Sequence, residues 1–141
     1  MAKRSTRTQP NPQPLAVPNT KISATILDFG EPYLGQYDGQ HLPIDVVREA
    51  MVVVLTVWNA HVMAMPEWGQ PEPLAWLKDI IYSGTAPHQL MDLFEDLTFR
   101  RYQKFADDPR AVGNWDIVSN GDGTVKFRCD GRLPPGYVPS P

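Results

Sequence analysis

The chain has 141 residues but only one cysteine, Cys129. A single thiol excludes an intrachain disulfide framework and a zinc site built from several thiolates. It has no glycine loop for phosphate, no Gly-x-Ser-x-Gly elbow and no His-Glu-x-x-His pair, so the commonest nucleotide, hydrolase and metalloprotease signatures are missing. The N-terminus lacks the apolar stretch of a signal peptide. The longest apolar run, residues 50–65, has 16 residues and carries Asn59 and His61, whereas a membrane span needs roughly 20 apolar residues. No internal repeat or sustained heptad is visible. The chain therefore reads as cytoplasmic, with no membrane partner and no cofactor expected.

Proline and charge divide what is present. Eight of the 15 prolines lie in residues 1–19 and 131–141, which also have few large apolar groups. Such segments read as disordered tails unable to form helix or ladder. The expected folded unit is a single domain over 20–130, enough for one modest core. All 16 acids fall inside it with nine of the 13 bases, giving −7 there and +4 in the tails. An acidic body is a poor surface for a phosphate backbone, which counts against nucleic acid.

The run Ala50–Met65 is apolar on every face of a helix except for Thr56, Asn59 and His61. A helix without a solvated face must be enclosed by the rest of the protein. Its valines suit a strand, but the run is twice the usual strand length and contains no glycine or proline. The expectation is a helix over about 44–64, entered at Pro43 and stopped by Pro66. Around it the spacing predicts helices over about 21–29, capped by Asn19 or Thr20, over 73–82, and over 86–106, capped by Thr85. Residues 35–42 read as a loop. The C-terminal part predicts a hairpin, Asn114–Ser119 with Thr124–Cys129, turning at Gly121-Asp122-Gly123. That loop sets Ile117 against Phe127, Trp115 against Cys129 and Asp116 against Arg128, sorting apolar from charged. Trp115, Ile117, Val125 and Phe127 would then lie on the helices, or the ribbon would gain a strand from a partner. The fold class is α+β: a small, mainly helical domain of four helices, three of them around the central apolar one, and a C-terminal β-hairpin.

Four sets of residues could carry chemistry. Asn59 and His61 sit inside the apolar helix and could line a polar pocket; two positions apart, they point to different faces, and hydrogen-bonded packing is the simpler reading. His88, Asp92 and either Glu95 or Asp96 share a helix face at one-turn spacing and could hold a divalent metal, although acids near a helix start also answer its dipole. Arg100, Arg101, Lys104 and Arg110, interleaved with Phe99 and Tyr102, could touch nucleic acid, although pairing with Asp107 and Asp108 also explains them. Cys129 ends a strand on its inward face and has no neighbouring base, so a nucleophile is not expected.

The stretches Ile22-Ser-Ala-Thr-Ile-Leu-Asp-Phe29, Thr56-Val-Trp-Asn-Ala60 and Phe105-Ala-Asp-Asp-Pro-Arg110 resemble parts of a family of small bacterial proteins with no assigned role. The resemblance covers most of 20–130 and implies a bacterial cytoplasmic origin. No functional residue comes with it. The reading that follows is a non-enzymatic binding or accessory factor acting on an unidentified protein partner. Loop aromatics (Tyr33, Tyr37, Trp68, Trp76), with Arg100 and Arg101, are the interface candidates, and the hairpin edge could form a homodimer. The alternatives are a small metal-dependent enzyme on the His88, Asp92, Glu95 face and a weak nucleic-acid binder.

Overall fold

The computed structural model describes residues 12–35, 43–122 and 124–140. Among these the protein is α+β, with five helices and four short strands. In chain order they are β1 (Gln13–Leu15), α1 (Ile22–Phe29), α2 (Glu31–Leu34), α3 (Ile44–Met63), α4 (Glu72–Ile81), α5 (His88–Lys104), β2 (Ala111–Ser119), β3 (Val125–Arg132) and β4 (Tyr137–Pro139). The expected 35–42 loop and Tyr37 lie almost wholly outside the described residues, as does Gly123 of the expected turn.

The apolar run forms a helix and not a strand: α3 spans 20 residues and packs against α1, α2, α4, α5 and β2. Its buried side, with Met51, Val54, Leu55, Trp58 and Val62, meets Ile22, Ile26 and Phe29 of α1 and Phe94 and Leu97 of α5 in one core. At the centre, Phe29, Trp58 and Phe105 meet edge to face, with centroids 5.1–6.0 Å apart, the favoured geometry for aromatic quadrupoles. Gly30 lets α1 end against α3, because a Cβ there would lie 2.8 Å from Val54 Cγ1.

The expectation of a helix with no solvated face is corrected. Val52 is 46 % exposed, and Asp45, Glu49 and Thr56, on the same stripe, are also exposed. Apolar composition is not enough to enclose a helix; neighbours on every side are needed, and α4 and α5 leave this stripe open. The length argument against a membrane is corrected too: at 20 residues α3 is long and apolar enough to cross one, and half of its apolar window is buried inside the fold.

Helix starts also differ from expectation. Neither Asn19 nor Thr20 caps α1, and Thr85 does not cap α5. Pro87 takes the position before α5 with extended backbone, while the Thr85 hydroxyl pairs with Ser83 Oγ at 2.8 Å. Gly30, Pro32 and Gly35 obscure the short α2 turn in the sequence; Pro32 is accommodated in its first turn.

β2 and β3 pair antiparallel, with Ile117 opposite Phe127, Trp115 opposite Cys129 and Asp116 opposite Arg128. Both strands run three residues further than the pattern suggested. Gly113 and Asn114 lie at an irregularity between Val112 and Trp115, so Ala111 and Val112 rejoin the ladder opposite Arg132 and Gly131. Ile117 and Phe127 are buried, but Val125 is 40 % exposed, which corrects its placement on the helices.

The proline-rich ends are not without ladder. Gln13–Leu15 pairs in parallel with Tyr137–Pro139. Gln13 N donates to the Gly136 carbonyl at 2.8 Å and Ser140 N to the Leu15 carbonyl at 2.9 Å. Pro14 falls between the bonding positions Gln13 and Leu15, and Pro139 between Val138 and Ser140. At those positions a missing N–H costs the ladder nothing.

Candidate functional site

Asn59 and His61 have partners from two different elements. The Asn59 side-chain amide donates to the Val112 carbonyl at 3.1 Å and accepts from Val112 N at 2.8 Å, acting as a one-residue strand mate for β2. Along the same stretch, Trp58 Nε1 donates to the Arg110 carbonyl at 2.8 Å and Arg48 Nη2 to the Ile117 carbonyl at 3.3 Å. Side chains of α3 thus occupy outward backbone groups of β2 at Val112 and Ile117, and a homodimer through the hairpin would have to use β3.

His61 Nε2 lies 2.9 Å from Thr98 Oγ1, with the ring between Phe94 and Tyr102. Its Nδ1 is buried without a hydrogen-bond partner. Burial, helped by the charges of Arg101 and Lys78, lowers its pKa to about 4, so the ring is neutral at neutral pH. Neither Asn59 nor His61 lines the opening beside α1, the groove between α3, α4 and α5, the cleft next to it or the hollow on the hairpin.

The expected basic patch is not a patch. Arg101 is 2 % exposed, with its guanidinium 4.5 Å over the Trp58 ring and Nη2 donating to the Asp108 carbonyl at 2.7 Å. Its place as an interface or nucleic-acid contact is therefore corrected. Arg110 is buried against the Asp108 carboxylate at 2.7 Å and also donates to the Thr20 carbonyl and Thr25 Oγ1. Arg100 and Lys104 both turn to Asp28, at 2.9 and 3.6 Å. The exposed rings of Phe99 and Tyr102 remain, but two bases sharing one carboxylate offer little to a phosphate chain.

The His88, Asp92, Glu95 face does not converge. Glu95 accepts from the Tyr82 hydroxyl at 2.9 Å, which raises the Tyr82 pKa. Among the described residues no group of three His, Cys, Asp or Glu side chains is arranged to hold a metal ion. Cys129 is half-buried; burial, with Asp130 adding to it, pushes its thiol up to about 11, so it stays protonated at neutral pH.

Of the aromatic candidates, Trp68 is half-buried and donates to the Pro109 carbonyl at 2.7 Å, tying the connector after α3 to the chain entering β2. Tyr33 packs partly buried against the core. Trp76 is different, 64 % exposed on α4.

One opening, of about 570 Å³, lies between residues 16–20, α1 and the end of α5. Its charged lining is mostly paired already, Asp28 with Arg100 and Lys104, and Asp108 with Arg110. A second feature went unseen in the sequence. Val52, Val53 and Thr56 of α3, Leu77 and Ile80 of α4 and Leu90 and Leu93 of α5 line a groove of about 160 Å³, where Thr56 supplies the one hydroxyl. Ile80 is 41 % exposed, and Trp76 precedes it by one turn on the same helix face. Leu90 and Leu93 also line a neighbouring cleft of about 620 Å³ with Pro32, Tyr33, Asp92 and Asp96. The available signal was the spacing of Asp45, Glu49 and Thr56 with Val52, a polar stripe crossing an apolar helix. Comparison with protein families, with curated proteins and with solved structures finds no match, so the reading of this chain rests on its own geometry.

Proposed function

We propose that this chain is a non-enzymatic protein-binding module that docks a partner on the face shared by α3, α4 and α5. In this reading α3 is the axis, α1, α4 and α5 are its shell, the C-terminal hairpin closes the side away from the partner, and the open stripe of α3 is the floor of the docking site. The observation that carries it is the groove: Val52 and Ile80 border it half-exposed, and Trp76 stands beside it. Apolar side chains held in the open around one concave surface mark interaction sites, and a projecting tryptophan is the commonest energetic anchor. Trp68, which holds two loops together, has no part in it.

The test is affinity purification with the whole chain as bait beside Val52→Asp and Trp76→Ala. Both positions are exposed, so circular dichroism should be unchanged. Specific partners should be lost with Val52→Asp and reduced with Trp76→Ala. Recovery of the same partners at the same yield with both variants would remove this face from consideration.

A further inference from the structure

Resting on that docking reading, we infer that the partner segment is an amphipathic helix whose apolar face is bordered by lysine or arginine. The walls of the groove are three helices, whose backbone groups are satisfied within each helix. An extended peptide laid there would find no mates for its own N–H and C=O groups, whereas a helix brings its backbone bonds with it. Leucine-sized residues at i, i+3 or i+4, and i+7 would fill the space between Val52, Ile80 and Leu93.

The charged residues that line the groove and the adjoining cleft are both acids. The groove is continuous with the acidic cleft through Leu90 and Leu93, and there Asp92 and Asp96 stand one turn apart on α5. Neither carboxylate has an ion-pair or hydrogen-bond partner among the described residues. On α3 the open stripe begins with Asp45 and Glu49 before reaching Val52 and Thr56. The bases of α3 and α5 turn elsewhere: Arg48 reaches β2 at Ile117 and Asp116, Arg100 and Lys104 hold Asp28, and Arg101 is buried over Trp58. Acids left unpaired beside an apolar floor select a partner with complementary bases.

The test is selection of a displayed library of helical peptides on the full chain, followed by affinity measurement of the enriched sequences. Enriched peptides should carry the i, i+3 or i+4, i+7 apolar face and a net positive charge. Their affinity should fall about tenfold or more in Asp92→Lys/Asp96→Lys and weaken as salt is raised. Val52→Asp should abolish binding, with Ile80→Asp as a second groove variant if the first alters the fold. Peptides that need Val52 but show no basic bias, or that bind Asp92→Lys/Asp96→Lys unchanged, would overturn the partner chemistry and leave the docking face standing. Peptides indifferent to both groove variants would overturn both, and failure to enrich any helical peptide would overturn the helix. A dimer of the chain alone that Val52→Asp dissociates would make a second copy the occupant and overturn the inference.

Discussion

At the scale of the residue, His61 shows how a polar group in an apolar helix acts on the whole protein through its proton. The ring is held by Thr98 between two aromatic rings, and burial keeps its pKa near 4, against about 6.5 in an unfolded chain. Above pH 6.5 both states are neutral and His61 contributes no pH dependence. Between pH 6.5 and 4 the unfolded chain takes up a proton that the folded chain refuses, so stability falls as pH falls, by at most ~1.4 kcal/mol per pH unit across that window. Urea unfolding of the wild type and His61→Leu at pH 7 and pH 4.5 should show the extra acid sensitivity in the wild type only; equal slopes for both would place the proton elsewhere. The sequence marked His61 and Asn59 as out of place, since any polar group on that run is conspicuous. It did not give their partners, because Thr98 and Val112 are 37 and 53 positions away.

At the scale of the element, helix α3 serves as the covering of a sheet edge. Arg48, Trp58 and Asn59 put three different side chains on the outward backbone of one strand and the residue before it. An open strand edge is a template for unwanted pairing, and covering it is a recurrent remedy. Asn59→Leu keeps the size of the side chain but strands the Val112 N–H and carbonyl, so a loss of about 2–3 kcal/mol is expected in urea unfolding. A loss below ~0.5 kcal/mol would mean that water takes over the amide's role. Elements were legible where period and length agreed, as in α3, α4 and α5. They were not legible beyond Asn114 and Cys129, where the expected strands stopped: Gly113 and Gly131 sit inside the observed strands, one at an irregularity and the other against Ile22. The groove was hidden for a related reason. Whether Val52 is covered depends on where α4 and α5 lie, and no local pattern encodes that.

At the scale of the molecule, the Asp108–Arg110 pair joins parts far apart in the chain. Arg110 reaches the Thr20 carbonyl and Thr25 on one side, and Asp108 takes the Arg101 guanidinium on its carbonyl on the other. The chain before α1, α1, the end of α5 and the start of β2 therefore meet on one buried ion pair. Removing one partner leaves the other charge buried and alone, so Arg110→Met should cost about 3–5 kcal/mol, while Asp108→Asn/Arg110→Met together should cost less than the two changes added. Thermal unfolding of the four proteins gives the coupling, and simple additivity would show that the charges do not act as a pair. The sequence had offered Asp107 and Asp108 as partners for Arg100, Arg101, Lys104 and Arg110; the structure pairs the Asp108 carboxylate with Arg110, gives the Asp108 carbonyl to Arg101 and sends Arg100 and Lys104 to Asp28.

The short ladder between β1 and β4 has a mechanical consequence. The strands run in the same direction, the chain reaches β1 from its Gln13 end, and it leaves β4 past Pro139. Tension applied between Pro12 and Ser140 therefore drags the two strands along each other in opposite senses, and the bonds of the ladder share the load instead of opening one after another. Whatever pulls on both ends of this protein meets that clasp before it reaches the helices.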